Sequence, residues 1–529
     1  MKTIYQYLFL GAFLGMAGTA MAQDSYDAQT FVNSDLNGTS RFVSMGGALG
    51  ALGGDISVMS TNPAGTAMYR KSDAAITLSG VFTNDNAMGH DKARMSFDQG
   101  GALIAFDMDN PSGEGLQFVN FGVNYQKKRN FFGNHNIGVQ HMTIPATNGD
   151  YYLLSQSFQI ADMGNWAMED AKAASLSNDY DLYFGSLLYL ATAKDGTILV
   201  DMLDDDGNQV VDQYGNVKYA GVGAEKAYME KATYGANIQA DLNLSFNVSD
   251  QFFFGASLGV YDIDYDRESS YQEFWQQDDG NGNLKPYSYE FNNWYKTTGD
   301  GFDVKLGFIC RPIEDSPFRF GVSVHTPIWY RMTDSNGGAV YYKNERLDYD
   351  VDNPEYDYHF RTPWKFGFSL GHTIGTNFAI GAEYEFQDLS TAKYSDVDHY
   401  EAEYFRNVNR ITKQTLRGQH TLKVGVEYKP IEEFSIRAGY NFLSSPFKQD
   451  AFRTIGYDSP YTETDYTNWG PINRFTVGLG YRYKGGYFDI VWQYQAQKGD
   501  FYAFDNSYLK PTKINNNRSQ LMATLGFRF

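Results

Sequence analysis

The chain closes on Leu521-Met522-Ala523-Thr524-Leu525-Gly526-Phe527-Arg528-Phe529, in which Leu521, Ala523, Leu525, Phe527 and Phe529 alternate with Met522, Thr524, Gly526 and Arg528. A period of two places the first set on one face of a β-strand and the second on the other. At the edge of a soluble sheet, such a strand would be an aggregation site. Between lipid and a wet lumen both faces are satisfied, and a terminal aromatic sits at the interface. The segment predicts a closed membrane-spanning β-barrel rather than a sandwich.

The amino end agrees. Lys2 precedes an apolar run over 4–17, and Ala20-Met21-Ala22 has the small-residue form of a secretory cleavage site, so residues 1–22 read as a signal peptide. The single Cys310 excludes an internal disulfide and reads as a small hydrophobe on a strand face. A mean hydropathy of −0.46 would suit a soluble protein, but a barrel shows lipid only every second residue and carries polar loops. The 41 tyrosines and 39 phenylalanines suit interfacial girdles. A formal net charge of −20 argues against nucleic acid as a partner.

Alternating segments number fourteen, at 74–82, 101–107, 116–128, 233–248, 251–265, 299–312, 317–331, 357–373, 376–388, 416–429, 434–444, 472–484, 486–498 and 518–529. Short connections such as 249–250 and 430–433 alternate with long ones, the longest being 129–232. Short turns on one side and long loops on the other are the outer-membrane pattern. An even count leaves both ends of the wall on the short-turn side. The fold class expected is all-β: a 14-stranded antiparallel transmembrane barrel over 74–529. Glycines 122, 255, 259, 307, 321, 367, 371, 381, 425, 439, 478, 480 and 526 fall in the lumen-facing phase. They imply strand curvature and close packing of something inside, or clearance for a ligand.

Fourteen strands enclose more space than their own side chains can fill. Segment 23–73 lacks strand alternation and is rich in small residues, as in Met45-Gly46-Gly47-Ala48-Leu49-Gly50-Ala51-Leu52-Gly53-Gly54. It reads as an amino-terminal hatch, or plug, folded in the lumen. It continues through Asp55-Ile56-Ser57 to Asn62-Pro63-Ala64-Gly65, just before the first strand. On these residues the chain resembles the FadL/TodX-type outer-membrane transporters of hydrophobic compounds, the long-chain fatty acid transporter family. That resemblance implies fourteen strands, a small amino-terminal hatch, and a hatch motif at Asn62, Pro63, Ala64 and Gly65. The chain departs from the family in lacking a second polar residue beside Asp55 and in its long 129–232 loop, which bears on ligand identity more than on fold.

Little points to catalysis. Ser323 and His325 share a strand face in Gly321-Val322-Ser323-Val324-His325, but the nucleophile-elbow pattern is missing. No metal and no cofactor is expected: Asp204-Asp205-Asp206-Gly207-Asn208 and Asp278-Asp279-Gly280-Asn281-Gly282-Asn283 lack calcium-loop spacing. The first reads as the turn of a hairpin between 197–200 and 209–211. Within the long loop, 160–174 and 181–193 read as helices whose greasy faces pack a lobe or capture ligand. Lumen-phase charges Asp303, Lys305, Arg319, Lys365, Glu383, Glu385, Lys423, Glu427, Arg437 and Arg482 form an electrostatic network or include a cationic anchor for a ligand carboxylate.

The resulting expectation is a non-enzymatic, monomeric outer-membrane protein for passive uptake of hydrophobic small molecules such as long-chain fatty acids or aromatic hydrocarbons. Its other partner is outer-membrane lipid. The competing expectations are the barrel component of a secretion or surface-assembly complex that binds protein partners, and a plain porin.

Overall fold

The computed structural model describes residues 25–110, 113–145, 151–155, 157, 199–204, 206–213, 215, 217–278, 281–313, 316–342, 345–348, 355–397, 402–451, 466–504 and 508–529. The expected signal peptide and the expected helices at 160–174 and 181–193 lie outside them.

Alternation becomes wall. The strands are β1 (Asp73–Thr83), β2 (Ala93–Asp107), β3 (Leu116–Asn130), β4 (Lys226–Val248), β5 (Phe252–Asp278), β6 (Leu284–Cys310), β7 (Arg319–His325 and Trp329–Tyr342), β8 (Tyr356–Arg361 and Lys365–Ile374), β9 (Phe378–Asp388 and Lys393–Asp396), β10 (Gly418–Ile431), β11 (Phe434–Leu443), β12 (Tyr466–Tyr483), β13 (Gly486–Tyr502) and β14 (Arg518–Arg528). Each pairs antiparallel with the next. β14 returns to β1 in continuous register, from Asp73 opposite Arg528 to Thr83 opposite Arg518. The sheet has no edge, so backbone groups in hydrocarbon find partners within the wall.

The side chains are arranged inside out relative to a water-soluble protein. On β5, Leu258 and Val260 are 43% and 50% exposed. On the opposite face of β4, Asn243, Ser245 and Asn247 are buried. The same inversion recurs with Phe366, Phe368 and Leu370 on β8 and with Phe475, Val477 and Leu479 on β12, all exposed. An apolar band of this extent around a closed sheet is a lipid-facing surface.

The fourteen expected segments are found, with three differences. β2 begins at Ala93, and β4, β5 and β6 run well past the expected ends on the long-loop side; polar residues there hide the alternation. β7 and β8 are each interrupted at the same height, at Thr326-Pro327-Ile328 and Thr362-Pro363-Trp364. Proline has no N–H for the ladder. Threonines patch the gap: Thr362 Oγ1 accepts from Ile328 N at 2.8 Å and Thr326 Oγ1 from Val304 N at 3.0 Å. β9 is broken by a 3-10 turn, Leu389–Thr391. Third, the hairpin expected from 197–200 and 209–211 is built otherwise: Leu199–Asp201 pairs with Tyr219–Gly221, while the Asp-Gly turn is spanned by the Leu203–Gln209 bridge and by Val210 N donating to Met202 O at 2.8 Å.

A charge on the lipid face is expected to be expensive. Leu258→Arg, six residues from the short-turn end of β5, should lower stability by about 2–4 kcal/mol, read by urea unfolding of the barrel in lipid vesicles. The conservative Leu258→Ala should cost much less.

Candidate functional site

Segment 25–69 lies inside the barrel and divides the lumen. It begins on the long-loop side with helix α1 (Ser25–Val32). Tyr26 there donates to Asn468 Oδ1 at 3.0 Å and packs on Phe447 and Tyr466. The chain then descends through 33–37 to helix α2 (Ser40–Ser44) and two 3-10 turns, Ile56–Ser60 and Pro63–Met68. Short polar side chains begin these turns. Thr39 Oγ1 caps Phe42 N at 3.1 Å and donates to Asp55 at 2.8 Å, while Asp55 Oδ1 caps Ser57 N at 3.0 Å. Asp55 thus needs no second acid beside it to hold this fold.

The motif residues dock this segment onto the wall. Asn62 Oδ1 accepts from Ala64 N at 3.2 Å, and its Nδ2 donates to Gly50 O at 2.9 Å. Pro63 O accepts from Asn243 Nδ2 of β4 at 3.4 Å. Ala64 is fully buried, and Gly65 O accepts from Gly54 N at 3.0 Å. Opposite them the wall carries glycines. A Cβ on Gly255 would strike the Pro63 backbone, and one on Gly307 would strike Asn62 Oδ1. Around the circumference, Gly381 faces Ala48 O, Gly425 faces Met45 O and Gly439 faces Gly46 N at equally short range. Of the two readings of the glycine phase, close packing of the interior segment explains these positions. Gly259, Gly367, Gly480 and Gly526 instead make room for wall side chains.

Most lumen charges are consumed in networks. Lys305 Nζ lies 2.8 Å from both Asp241 and Asp303. Lys423 Nζ lies 2.7 Å from Glu383 and 2.8 Å from Glu385, and Glu383 also accepts from Gly50 N at 3.0 Å. Arg437 bridges Glu427 and Asp489, and Glu427 also meets Arg41 of the interior segment at 3.4 Å. Buried charges need such partners, because an unpaired one costs several kcal/mol. Asp241 and Asp489, which complete two networks, are missing from the sequence-derived set although they occupy its phase.

Two further anchors carry no sequence signal. Lys128 Nζ caps the end of α1, donating to Phe31 O at 3.2 Å and Val32 O at 3.5 Å. Asp35 accepts from Asn130 N at 3.0 Å and pairs with Arg518 at 2.8 Å and Arg474 at 3.8 Å. Burial opposes ionisation of Asp35, but Arg518, Arg474 and Arg129 outweigh it and hold its pKa at about 2.

Once these pairs are assigned, three members of the lumen set have no carboxylate at ion-pair distance among the described residues: Lys365 above the segment, Arg319 and Arg482 below it. Lys365 lines a cavity of about 110 Å³ on the long-loop side, with Val32, Leu36, Lys128, Tyr261 and Ile328. Above it Phe31, fully buried, stands edge-on to Phe131, Tyr265 and Phe360. Arg319 and Arg482 share a separate cavity of about 410 Å³ at the short-turn side.

Ser323 and His325 form no catalytic pair: His325 Nε2 lies 2.6 Å from Thr61 O and serves as another dock for the segment. Asp204 uses Oδ1 to accept from Asp206 N and Asn208 N at 3.0 and 2.8 Å, which organises a turn. No group of three or more His, Cys, Asp or Glu side chains placed to hold a metal occurs among the described residues.

No family model and no curated protein matches the sequence. Solved structures similar to this chain include a Pseudomonas aeruginosa FadL homologue, at 13% identity and TM-score 0.46, over 94% of this chain and 98% of that one. The Ralstonia pickettii toluene transporter TbuX aligns at 12% identity and TM-score 0.45, over 93% and 99%. The P. putida toluene transporter TodX aligns at 11% identity and TM-score 0.46, over 94% and 99%.

Two outcomes follow from this geometry. Gly425→Val should unseat the interior segment and raise ion conductance in planar bilayers, while the barrel still resists SDS unfolding before heating. Asp35 has a pKa depressed from 3.8 to about 2 in the folded state, so its stabilisation is present above pH 4 and lost as pH falls from 4 through 2. The shift corresponds to about 2 kcal/mol. Asp35→Asn should therefore conduct more than the native protein at pH 7, and the difference should vanish near pH 2.

Proposed function

We propose that the protein is a passive outer-membrane carrier that takes up hydrophobic compounds, such as long-chain fatty acids or aromatic hydrocarbons, with segment 25–69 as its hatch. It works as a monomer and has no catalytic step. The observation that carries this reading is the aromatic cluster around Phe31, floored by a cavity with two cations, Lys128 and Lys365, that have no carboxylate at ion-pair distance among the described residues; Lys128 is bonded to the end of α1, which leaves Lys365 for a ligand. A wide barrel closed in this way disfavours the free diffusion of a porin.

The middle of that cluster is filled by the chain itself. Phe31 occupies it as a ligand's apolar end would, and Lys128 and Lys365 stand at its floor. A hydrophobic molecule entering from the long loops exchanges its own contacts for those of Phe31 and α1. The net cost of displacing the helix is therefore smaller than the sum of the contacts it loses. Substrates carrying a carboxylate gain Lys365 as a counter-charge in a site of low dielectric. The compounds named for the TbuX and TodX barrels are neutral, so Lys365 is the residue that separates the two substrate classes here.

The test is uptake into vesicles. Barrels reconstituted in liposomes should accelerate entry of fluorescent dodecanoate. Lys365→Gln should weaken dodecanoate binding about tenfold, as expected for a lost charged hydrogen bond of about 1.5 kcal/mol, and leave toluene entry unchanged. Dodecanoate flux equal to that of protein-free vesicles would refute the proposal.

A further inference from the structure

Beneath the hatch the wall opens at the short-turn side into the larger cavity, bounded by turn residues Gly375, Thr376 and Asn377. Its lining contains seven cationic side chains and only two carboxylates, Asp250 and Glu427. That balance opposes the chain's formal charge of −20, so it cannot be a sample of average surface. The carboxylates are spoken for: Asp250 pairs with Arg70 at 2.7 Å, and Glu427 with Arg41, Lys429 and Arg437. Arg528 is held by Asp73 at 2.9 Å.

Three guanidinium groups remain, of which Arg311 donates Nη1 to Asp250 O at 3.2 Å; the other two are Arg319 and Arg482. Arg319 donates Nη1 to Leu52 O at 3.0 Å and lies against the Met68 sulfur, and its buried Nε has no acceptor among the described residues. Arg482 feels Arg528 and Arg41 and, more weakly, Asp489 and Glu427, both already bonded to Arg437, and makes no ion pair with a described carboxylate. Gathering like charges and leaving a buried donor unmet both cost free energy. An oxyanion entering the cavity would relieve both, and guanidinium forks suit a carboxylate. Met45, Leu52, Met68 and Phe253 supply an apolar side to the same space. The volume, about 410 Å³, is that of a small-molecule site.

We infer that this mouth is a second binding site, selective for the carboxylate head of an amphiphile, and that it receives the carried molecule after the hatch, before release on the short-turn side. The inference rests on the transport reading above and extends it. It makes the substrate an anionic amphiphile and gives the lumen two head-group stations, Lys365 above the hatch and Arg319 with Arg482 below.

The experiment counts bound dodecanoate on the full chain by native mass spectrometry after release from lipid nanodiscs, with dodecanol as the neutral probe. The native protein should retain two dodecanoates and no more than one dodecanol. R319Q/R482Q should lose one dodecanoate, its affinity falling at least tenfold, and K365Q should lose the other. In a crystal soaked with 12-bromododecanoate, bromine should mark both cavities. The inference is overturned if R319Q/R482Q binds like the native protein while K365Q loses its ligand, if dodecanol fills both sites, or if a phospholipid holds the mouth against dodecanoate. If neither K365Q nor R319Q/R482Q changes binding, the inference is overturned as well, whereas the transport reading falls only if vesicle uptake matches that of protein-free vesicles.

Discussion

A peptide group surrounded by hydrocarbon can hydrogen-bond only to other groups of the protein, and everything else here answers to that restriction. It forces the sheet to close β14 onto β1 and fixes alternation on each strand, with lipid taking one phase and the lumen the other. It also explains the threonines beside Pro327 and Pro363. Each lends a hydroxyl where the ladder is a bond short, since in lipid a missing partner is not replaced by water.

Closure at fourteen strands creates a second problem, an interior too wide for wall side chains to fill. The protein answers with forty-odd residues of its own chain. Besides apolar contacts such as those of Phe42, Leu49 and Met59, its seat depends on close backbone approach at the wall glycines and on charged groups reaching inward. The two devices are complementary. Glycine at 425 or 439 brings backbones together, and the lysine and arginine networks neutralise acids that would otherwise face the segment unpaired.

The architecture was largely legible in the sequence because a two-sided wall repeats one simple rule at every strand. Leu242 and Leu244 outside, Asn243 and Ser245 inside, follow from alternation alone. The proline interruptions were not legible, since one residue out of phase in a long run does not alter the pattern. The site was half legible. Arg319, Lys365 and Arg482 could be placed in the lumen phase, but that no described carboxylate pairs with them depends on which acids each neighbour claims, and that is decided by register. Asp35 and Lys128 were out of reach. One lies in a segment with no periodicity, and the other caps a helix distant in sequence.

The interior segment starts at the long-loop mouth and runs to the opposite end, where β1 begins beside β14. It is bonded to the seam itself: Ser40 N donates to Thr524 Oγ1 at 2.7 Å, and Arg528 Nη2 donates to Gly54 O at 3.1 Å. A cylinder that has zipped shut offers a folded insert no side entrance. Residues 25–69 therefore either settle before β1 meets β14 or enter end-on through the short-turn mouth, so the place where the first and last strands meet restricts the order of events during insertion.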